Sequence, residues 1–519
     1  MGRFWWLMVV AVMVAAGGAR GTLVAPQGSY NILMLLPMST RSHRNVFLPL
    51  AEALADRGHK VVMLTNQPPT ATHENITEVY HGLPNILQYG ANMFSRRSSA
   101  TAFVNKFGES VVEMSRSIYQ VPAVMDLYSR RKEFHLIIIN MLYCELMYPF
   151  VHEATFITVC PTALSPRHSA VMGNPLSPAA APSTYSHFSH PMSLLDKIKS
   201  FGEQSFRNFY WTYWAVIPAI QKEIAAQFPH LPPLLEVERN QSLTLINSHF
   251  TIDTPVPLLP SQVEVGGLHC RPGRPLPQRL EAWVTGAGET GVVYFSLGSV
   301  TNGTLLPVTY RDMFVDAFRQ VEQRVIWKFE EKLMEVSENV LMDTWLPQQD
   351  ILADPRVKLF ITHGGLLSSE EAVFHATPVL ALPMSFDQPK TSGLLQDLGV
   401  ARVLHWEQLS TQLIVNSIKE IINNPRYTTK AQELSRMFRD RPETAGEKAV
   451  FWTEYVIRHQ GGGSLRSPAA RLSWREFLML DVLVGCLLAA GGACLIMTAL
   501  LRPMFTGLFY RGTGKVKRE

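Results

Sequence analysis

Charge is scarce in this chain of 519 residues: Asp, Glu, Lys and Arg make up 17%, and the formal balance is only +4. The body contains no long Lys/Arg run that could track a phosphate backbone, so nucleic acid is not expected as a partner. Cysteine is scarce as well. Five occur; Cys486 and Cys494 lie in an apolar stretch near the C-terminus, and Cys144, Cys160 and Cys270 form no C-x-x-C pair. Neither a zinc site nor a disulfide framework is indicated, although one bridge remains open. No D-x-D acid triad is present to hold a divalent cation on a diphosphate, so no metal is expected. No G-x-G-x-x-G follows a strand-type run, which argues against a dinucleotide oxidoreductase.

Apolar residues, by contrast, make up 47%, rich for a soluble protein but too few for one that weaves repeatedly through a bilayer. The length suggests two domains of about 200 residues each. The ends suggest a compartment. Arg3, the apolar run Phe4–Ala16 and the small residues up to Ala19 read as a secretory signal over residues 1–21. Val482–Leu501 carries no charge, and twenty residues rising 1.5 Å each span about 30 Å, so a transmembrane helix is expected over 477–501. The tail, 502–519, holds Arg502, Arg511, Lys515, Lys517 and Arg518 against Glu519 alone, a basic excess that marks the cytosolic side. Lys515 and Lys517 also resemble a dilysine retrieval signal. The expectation is a single-pass type I protein of the endoplasmic reticulum membrane with a lumenal body and glycosylation sequons at Asn75, Asn240 and Asn302.

Between the ends, strand-type and helix-type runs alternate. Asn31–Leu36 reads as a strand, Val46–Asp56 as an amphipathic helix stopped by Gly58, and Lys60–Leu64 as the next strand; Phe134–Ile139 and Phe156–Val159 follow. A segment crowded with Pro, Ser and Ala from Asn174 to Pro191 leads into an aromatic helical stretch, Phe201 to Trp214, for which packed core is the ordinary reading and an acceptor wall or membrane contact the alternative. Pro255–Pro277 has a linker's composition. Beyond it Val292–Leu297, Val325–Phe329, Val357–Thr362 and Val379–Leu382 read as strands of a second doubly wound domain, closed by a helix near Thr444–His459. The expected partition is an N-terminal domain over 22–260 and a second over 261–463.

The informative segment is Trp345–Gln388. A strand ending at Thr362 runs through His363, Gly364 and Gly365 into a helix, whose first N–H groups make an anion site at the carboxyl edge of the sheet. The glycines allow a diphosphate to come close, and Ser368 adds a hydroxyl. Glu371, one turn further along that helix face, can accept from vicinal ribose hydroxyls, and Trp345 offers a flat face to a base.

These motifs, W-L-P-Q, T-H-G-G-L-L-S-S-E-E and S-F-D-Q, closely resemble the signature of the UDP-glucuronosyl/UDP-glucosyl transferase family, and the likeness extends over nearly the whole chain. F-S-L-G-S at Phe295–Ser299, G-N-P-L-S-P at Gly173–Pro178 and V-F-W-T-E-Y at Val450–Tyr455 add to it. The resemblance implies an α/β fold of the GT-B type, with an N-terminal acceptor domain facing a C-terminal UDP-sugar domain. It implies inverting, metal-free transfer of a hexose from a UDP-sugar co-substrate to a small lipophilic acceptor, with no further cofactor; homo-oligomerisation is left open. By resemblance Trp345 stacks on uracil, Gln348 meets the uridine, and Ser299 lies beside the donor. His363, Gly365 and Ser368 hold the diphosphate, Glu371 binds ribose, and Asp387 with Gln388 reads the sugar hydroxyls. The style is that of invertebrate members, which points to UDP-glucose. Two departures flank the signature: His375-Ala376-Thr377-Pro378 stands where H-G-V-P is common, and Met384-Ser385-Phe386 precedes Asp387 where L-F-G is frequent.

Transfer needs a base for the acceptor hydroxyl, and a histidine of ordinary pKa suits it. His43, expected in the loop after the first strand, matches the family's base. Relatives orient that ring with an acid at a position that is Asn140 here, and Asn carries no charge; the analogous exchange in a serine-protease triad costs about 10⁴ in rate. Glu145, five residues on, is the substitute candidate. The alternative from a different class is a catalytically weak or inactive lumenal relative that binds UDP-sugar or lipophilic ligands without turnover.

Overall fold

The opening unit forms as its residues dictate. Asn31–Leu36 (β1) is buried almost throughout, and Thr40, in extended backbone, accepts from the His43 amide and starts the helix Arg41–Asp56. Lys60–Thr65 (β2) then returns parallel to β1. The computed structural model describes residues 23–84, 94, 100–188, 190–299, 301, 303–331, 333 and 336–511. The expected signal segment, the sequon at Asn302, and Lys515 with Lys517 lie outside these residues.

Seven strands make the first sheet: β1, β2, β3 (Ile76–Tyr80), β4 (Leu136–Asn140), β5 (Phe156–Cys160), β6 (Thr244–Ile246) and β7 (Gln262–Glu264). They are ordered 3-2-1-4-5-6-7 and all parallel. Helices cover both faces: Ile32, Met34 and Ile138 pack into one core, Leu33, Leu35 and Ile137 into another. Burial on both sides explains the unbroken apolar runs of β1 and β4.

The second sheet repeats the pattern with β8 (Val292–Ser296), β9 (Arg324–Lys328), β10 (Val340–Asp343), β11 (Val357–Thr362), β12 (Val379–Ala381) and β13 (Ala401–Val403), ordered 10-9-8-11-12-13 and again parallel. In each sheet the order reverses once, between β1 and β4 and between β8 and β11. A crevice for ligands opens at such a point, outside the carboxyl ends of the strands.

The chain does not divide cleanly between the sheets. β7 hydrogen-bonds to β6 although it follows residue 260, the expected boundary. The helix Ala445–Arg458 returns to the first sheet, where Ala449, Val450 and Val456 share a core with Leu50 and Leu54. Glu454 on that helix accepts from Arg57 Nη2 and pairs with His59 Nε2, both at 3.0 Å. The body up to Arg466 is one compact unit, and Ser467 onward forms another. In the latter, the helix Leu480–Arg511 is long and apolar enough over Leu480–Arg502 to cross a membrane.

The aromatic stretch departs from the packed-core expectation. Tyr210 and Trp211 pack against the first sheet's core, but Phe201, Phe206, Phe209, Tyr213 and Trp214 are exposed. All five cysteines are free.

Candidate active site

The two switch points meet at the start of the helix Arg41–Asp56. Ser39 is pinned to the end of β2, its hydroxyl donating to Asn66 Oδ1 at 2.8 Å and its carbonyl accepting from Asn66 and Gln67. One turn on, Arg44 pairs with the buried Glu78. Between these anchors stand Arg41, Ser42 and His43. Ser42 Oγ lies 3.4 Å from Ser299 Oγ, in the loop after β8, and the Arg41 guanidinium sits 5.0 Å above the centre of the Trp345 ring.

His43 therefore belongs to a first helical turn rather than to a loop. Its Nδ1 is closed off from solvent and has no hydrogen-bond partner, and burial pushes the ring's pKa down to about 4. The expected orienting contact is not made. Asn140 is buried at the end of β4, but its Oδ1 accepts from the Leu142 amide at 3.1 Å, and its Nδ2 has no partner. The chain turns sharply there, with Tyr143 in the left-handed region at φ 63°, so the amide oxygen serves the turn. Glu145 is not turned to His43 either: it accepts from Trp211 Nε1 at 2.8 Å in a buried cluster with Arg167 and Glu238. Burial raises its carboxyl above the ordinary range, and the Arg167 charge opposes that.

On the second sheet the donor candidates converge. Gln348 donates to Glu371 Oε2 at 2.5 Å and accepts from Tyr294 at 3.1 Å. Burial lifts Glu371 to about 7, against the Gln348 hydrogen bond. Trp345, two residues past β10, is 51% exposed, with the Arg41 guanidinium over its ring. Ser368 is half-buried in the first turn of the helix Leu366–Phe374, on the face that carries Glu371.

The glycines make room for the protein's own side chains as well. Gly298 and Gly364 both have positive φ, +83° and +75°. A Cβ on Gly298 would lie 2.6 Å from the His363 ring, and one on Gly364 would lie 1.9 Å from Ser392 Oγ. These positions admit side chains of the protein itself: His363 is wedged between Gly298 and Gly365, whose Cβ would meet Nε2 at 2.8 Å. Burial, with the Lys328 charge, lowers the His363 pKa to about 4, so the ring is neutral at physiological pH.

Asp387 Oδ2 accepts the Leu366 amide at 2.8 Å, and Gln388 Oε1 accepts the amides of Met384 and Ser385 at 2.8 and 3.1 Å. Asp387 thereby ties the loop after β12 to the N-terminus of the helix Leu366–Phe374, and Gln388 closes that loop on itself. Among the sequons, Asn240 is exposed, whereas Asn75 is half-buried with its amide 3.5 Å from the Ala55 carbonyl.

Sequence reasoning passed over Arg41, and it met Ser42 only as the neighbour of His43 in the base motif, because it began the helix at Val46. Thr40 as an N-cap ahead of the apolar run was the available signal. It also passed over the contacts that join the halves behind the site: Glu370 accepts from Asn247 Nδ2 at 2.6 Å and from the Gly267 amide at 3.1 Å, and Lys390 pairs with Asp253 at 2.6 Å.

A family model described as "UDP-glucoronosyl and UDP-glucosyl transferase" matches residues 142–517. The chain is 32% identical over 476 residues to UDP-glycosyltransferase UGT5 of Dactylopius coccus, covering 88% of each. It is 31% identical over 490 residues to UDP-glucosyltransferase 2 of the same organism, covering 93% of this chain and 94% of that one. Among solved structures it resembles the calicheamicin glycosyltransferase CalG4, with a TM-score of 0.57 at 15% identity, over 83% of this chain and 99% of that one. At that identity the likeness establishes the fold alone: two parallel sheets in the GT-B arrangement.

Proposed function

The chain belongs to the UDP-glucuronosyl/UDP-glucosyl transferase family, whose members move a sugar from a UDP-sugar, and from that premise we propose an inverting, metal-free transfer of glucose to a hydroxyl of a small lipophilic acceptor. The observation that carries this reading is the contact of Ser42 with Ser299 and of Arg41 with Trp345, which sets the turn bearing His43 against the donor crevice.

In this reading Trp345 and Gln348 take the uridine and Glu371 takes the ribose. The diphosphate rests at the N-terminus of the helix Leu366–Phe374, beside Ser368, Gly365 and the neutral His363, where unpaired N–H groups and the helix dipole favour anionic charge. His43 Nδ1 faces the interior, which leaves Nε2 to receive the acceptor proton as the oxygen attacks the anomeric carbon and UDP departs on the opposite side. Asp387 and Gln388 meet the sugar hydroxyls. Glucose is favoured by the name of the Dactylopius glucosyltransferase. The acceptor side falls to the first sheet with the helices packed on it, and the donor side to the second. The basic tail and the sequons support a lumenal body on the endoplasmic reticulum membrane, with Asn240 the exposed one of the two described sequons.

One observation favours the second reading, a binder without turnover: among the described residues, no carboxylate hydrogen-bonds His43 Nδ1. His43→Ala separates the two. Product formation from UDP-glucose and a phenol is expected to fall at least about 10²-fold, the usual size of a general-base contribution, with calorimetric UDP affinity almost unchanged. Loss of UDP binding would make His43 structural, and wild-type protein that binds UDP without forming product would establish the second reading.

A further inference from the structure

The helix Leu194–Phe209 is built inside out. At 100° per residue, Leu194, Leu195, Ile198, Phe201, Phe206 and Phe209 form one stripe, and each is 50–75% exposed. The opposite face is polar and turned into the protein. Ser200 donates to the Pro178 carbonyl at 2.8 Å, and Gln204 donates to that of Ala181 at 2.9 Å. Glu203 accepts from Ser183 and Ser186 at 3.2 and 2.5 Å, and the Arg207 guanidinium lies 4.4 Å over the Tyr185 ring. The Pro- and Ser-rich segment therefore holds the helix by its polar side, against the rule that an amphipathic helix buries its apolar face. Such a stripe is costly in water and marks a surface that is covered in use.

We propose that this stripe docks on the lipid bilayer, with its side chains at the boundary of headgroups and acyl chains. Three observations favour lipid. Lys197 and Lys199 fall one on each side of the stripe, where ammonium groups reach phosphates while the stems stay apolar. Aromatic side chains dominate its C-terminal end and continue into exposed Tyr213 and Trp214, the composition of a membrane interface. The same chain carries a helix able to cross a membrane, joined through residues 467–479, which fully extended span at most about 45 Å; docking therefore needs no second encounter. A second copy of the chain fits less well, since a two-fold pairing of stripes would set lysine edges against each other. The proposal does not rest on the catalytic reading.

Hydroxyl-radical footprinting of the full chain in lipid nanodiscs, one copy per disc, tests it. Oxidation of Phe201, Phe206, Phe209 and Trp214, normalised to each residue's reactivity in the unfolded chain, is expected to be several-fold lower than that of Met437 and Val308, which are 50% and 59% exposed elsewhere on the body. In discs holding Phe206→Glu with Phe209→Glu, which remove the rings beside Tyr210, Tyr213 and Trp214 but keep the helix's polar anchors, oxidation of Phe201 is expected to rise to the level of the reference residues. Equal oxidation of stripe and reference residues in the wild type would overturn the proposal. So would protection that appears only with two copies per disc, or protection that survives the double substitution.

Discussion

Burial leaves His43 with a pKa of about 4, and its closed-off Nδ1 has no hydrogen-bond partner among the described residues. A base must be unprotonated to act, so the ring is competent above that value and fails as pH falls through it. The acid limb of kcat/KM, which reports the free enzyme, is therefore expected near pH 4 rather than near the ordinary histidine value of about 6.5. Asn140→Asp would set a carboxylate at the end of β4; by favouring the imidazolium it should move the limb upward and raise the rate. Rate profiles, or the His43 ring titration followed by NMR, check both steps. A wild-type limb near 6.5, or one unmoved by Asn140→Asp, would show that the ring's surroundings are not what sets its basicity. At this scale the sequence picked out the residue types but not their partners, since a hydrogen bond such as Asn140 to Leu142 depends on how the turn after β4 closes.

Among the elements, the strand-to-helix turn after β11 carries the tightest constraint. Gly364 combines φ +75° with a missing Cβ whose place is filled by Ser392 Oγ. Gly364→Ala should destabilise the body by more than the 1–2 kcal/mol or so that the left-handed conformation alone costs. Adding Ser392→Gly should recover the clash and leave the conformational part, as denaturant unfolding of the three proteins would show. The H-G-G motif was plain in the sequence, but the side chain behind it lies 28 positions on in another helix, beyond any local pattern. The same limit governs the strands. β1 and β11 were legible to the residue because both faces are largely buried and apolar runs, Ile32–Leu36 and Leu359–Ile361, fill their centres. β6, β7 and β13 are three residues each and escaped notice, since so short a segment has no period to read, and β12, equally short, was found only through its apolar run up to Leu382.

Across the whole molecule, the helix Ala445–Arg458 fastens the end of the body to its first sheet. Burial alone would raise the Glu454 carboxyl, but hydrogen bonds from Arg57 and His59, with the Arg57 charge, prevail and hold it below the usual range. Its contribution to stability is accordingly present above the ordinary carboxylate pKa and is lost as pH falls through the lowered one. Glu454→Gln should cost about 3 kcal/mol at neutral pH, the low end for breaking a buried pair because Arg57 reaches solvent. The deficit against wild type should shrink on acidification, measured as the shift in denaturant midpoint at two pH values.

The sequence by itself determined the alternation of elements, the motif at the second switch point, the family likeness and the membrane-length helix, because each is written in local periodicity, spacing or length. Tertiary structure alone decided that Arg41 and Ser42 close on the donor crevice, that Glu145 is engaged by Trp211, and that an aromatic helix faces outward. Those outcomes depend on contacts between residues tens to hundreds of positions apart, such as Ser42 with Ser299 and Arg57 with Glu454, and a linear pattern carries no record of which distant side chain arrives.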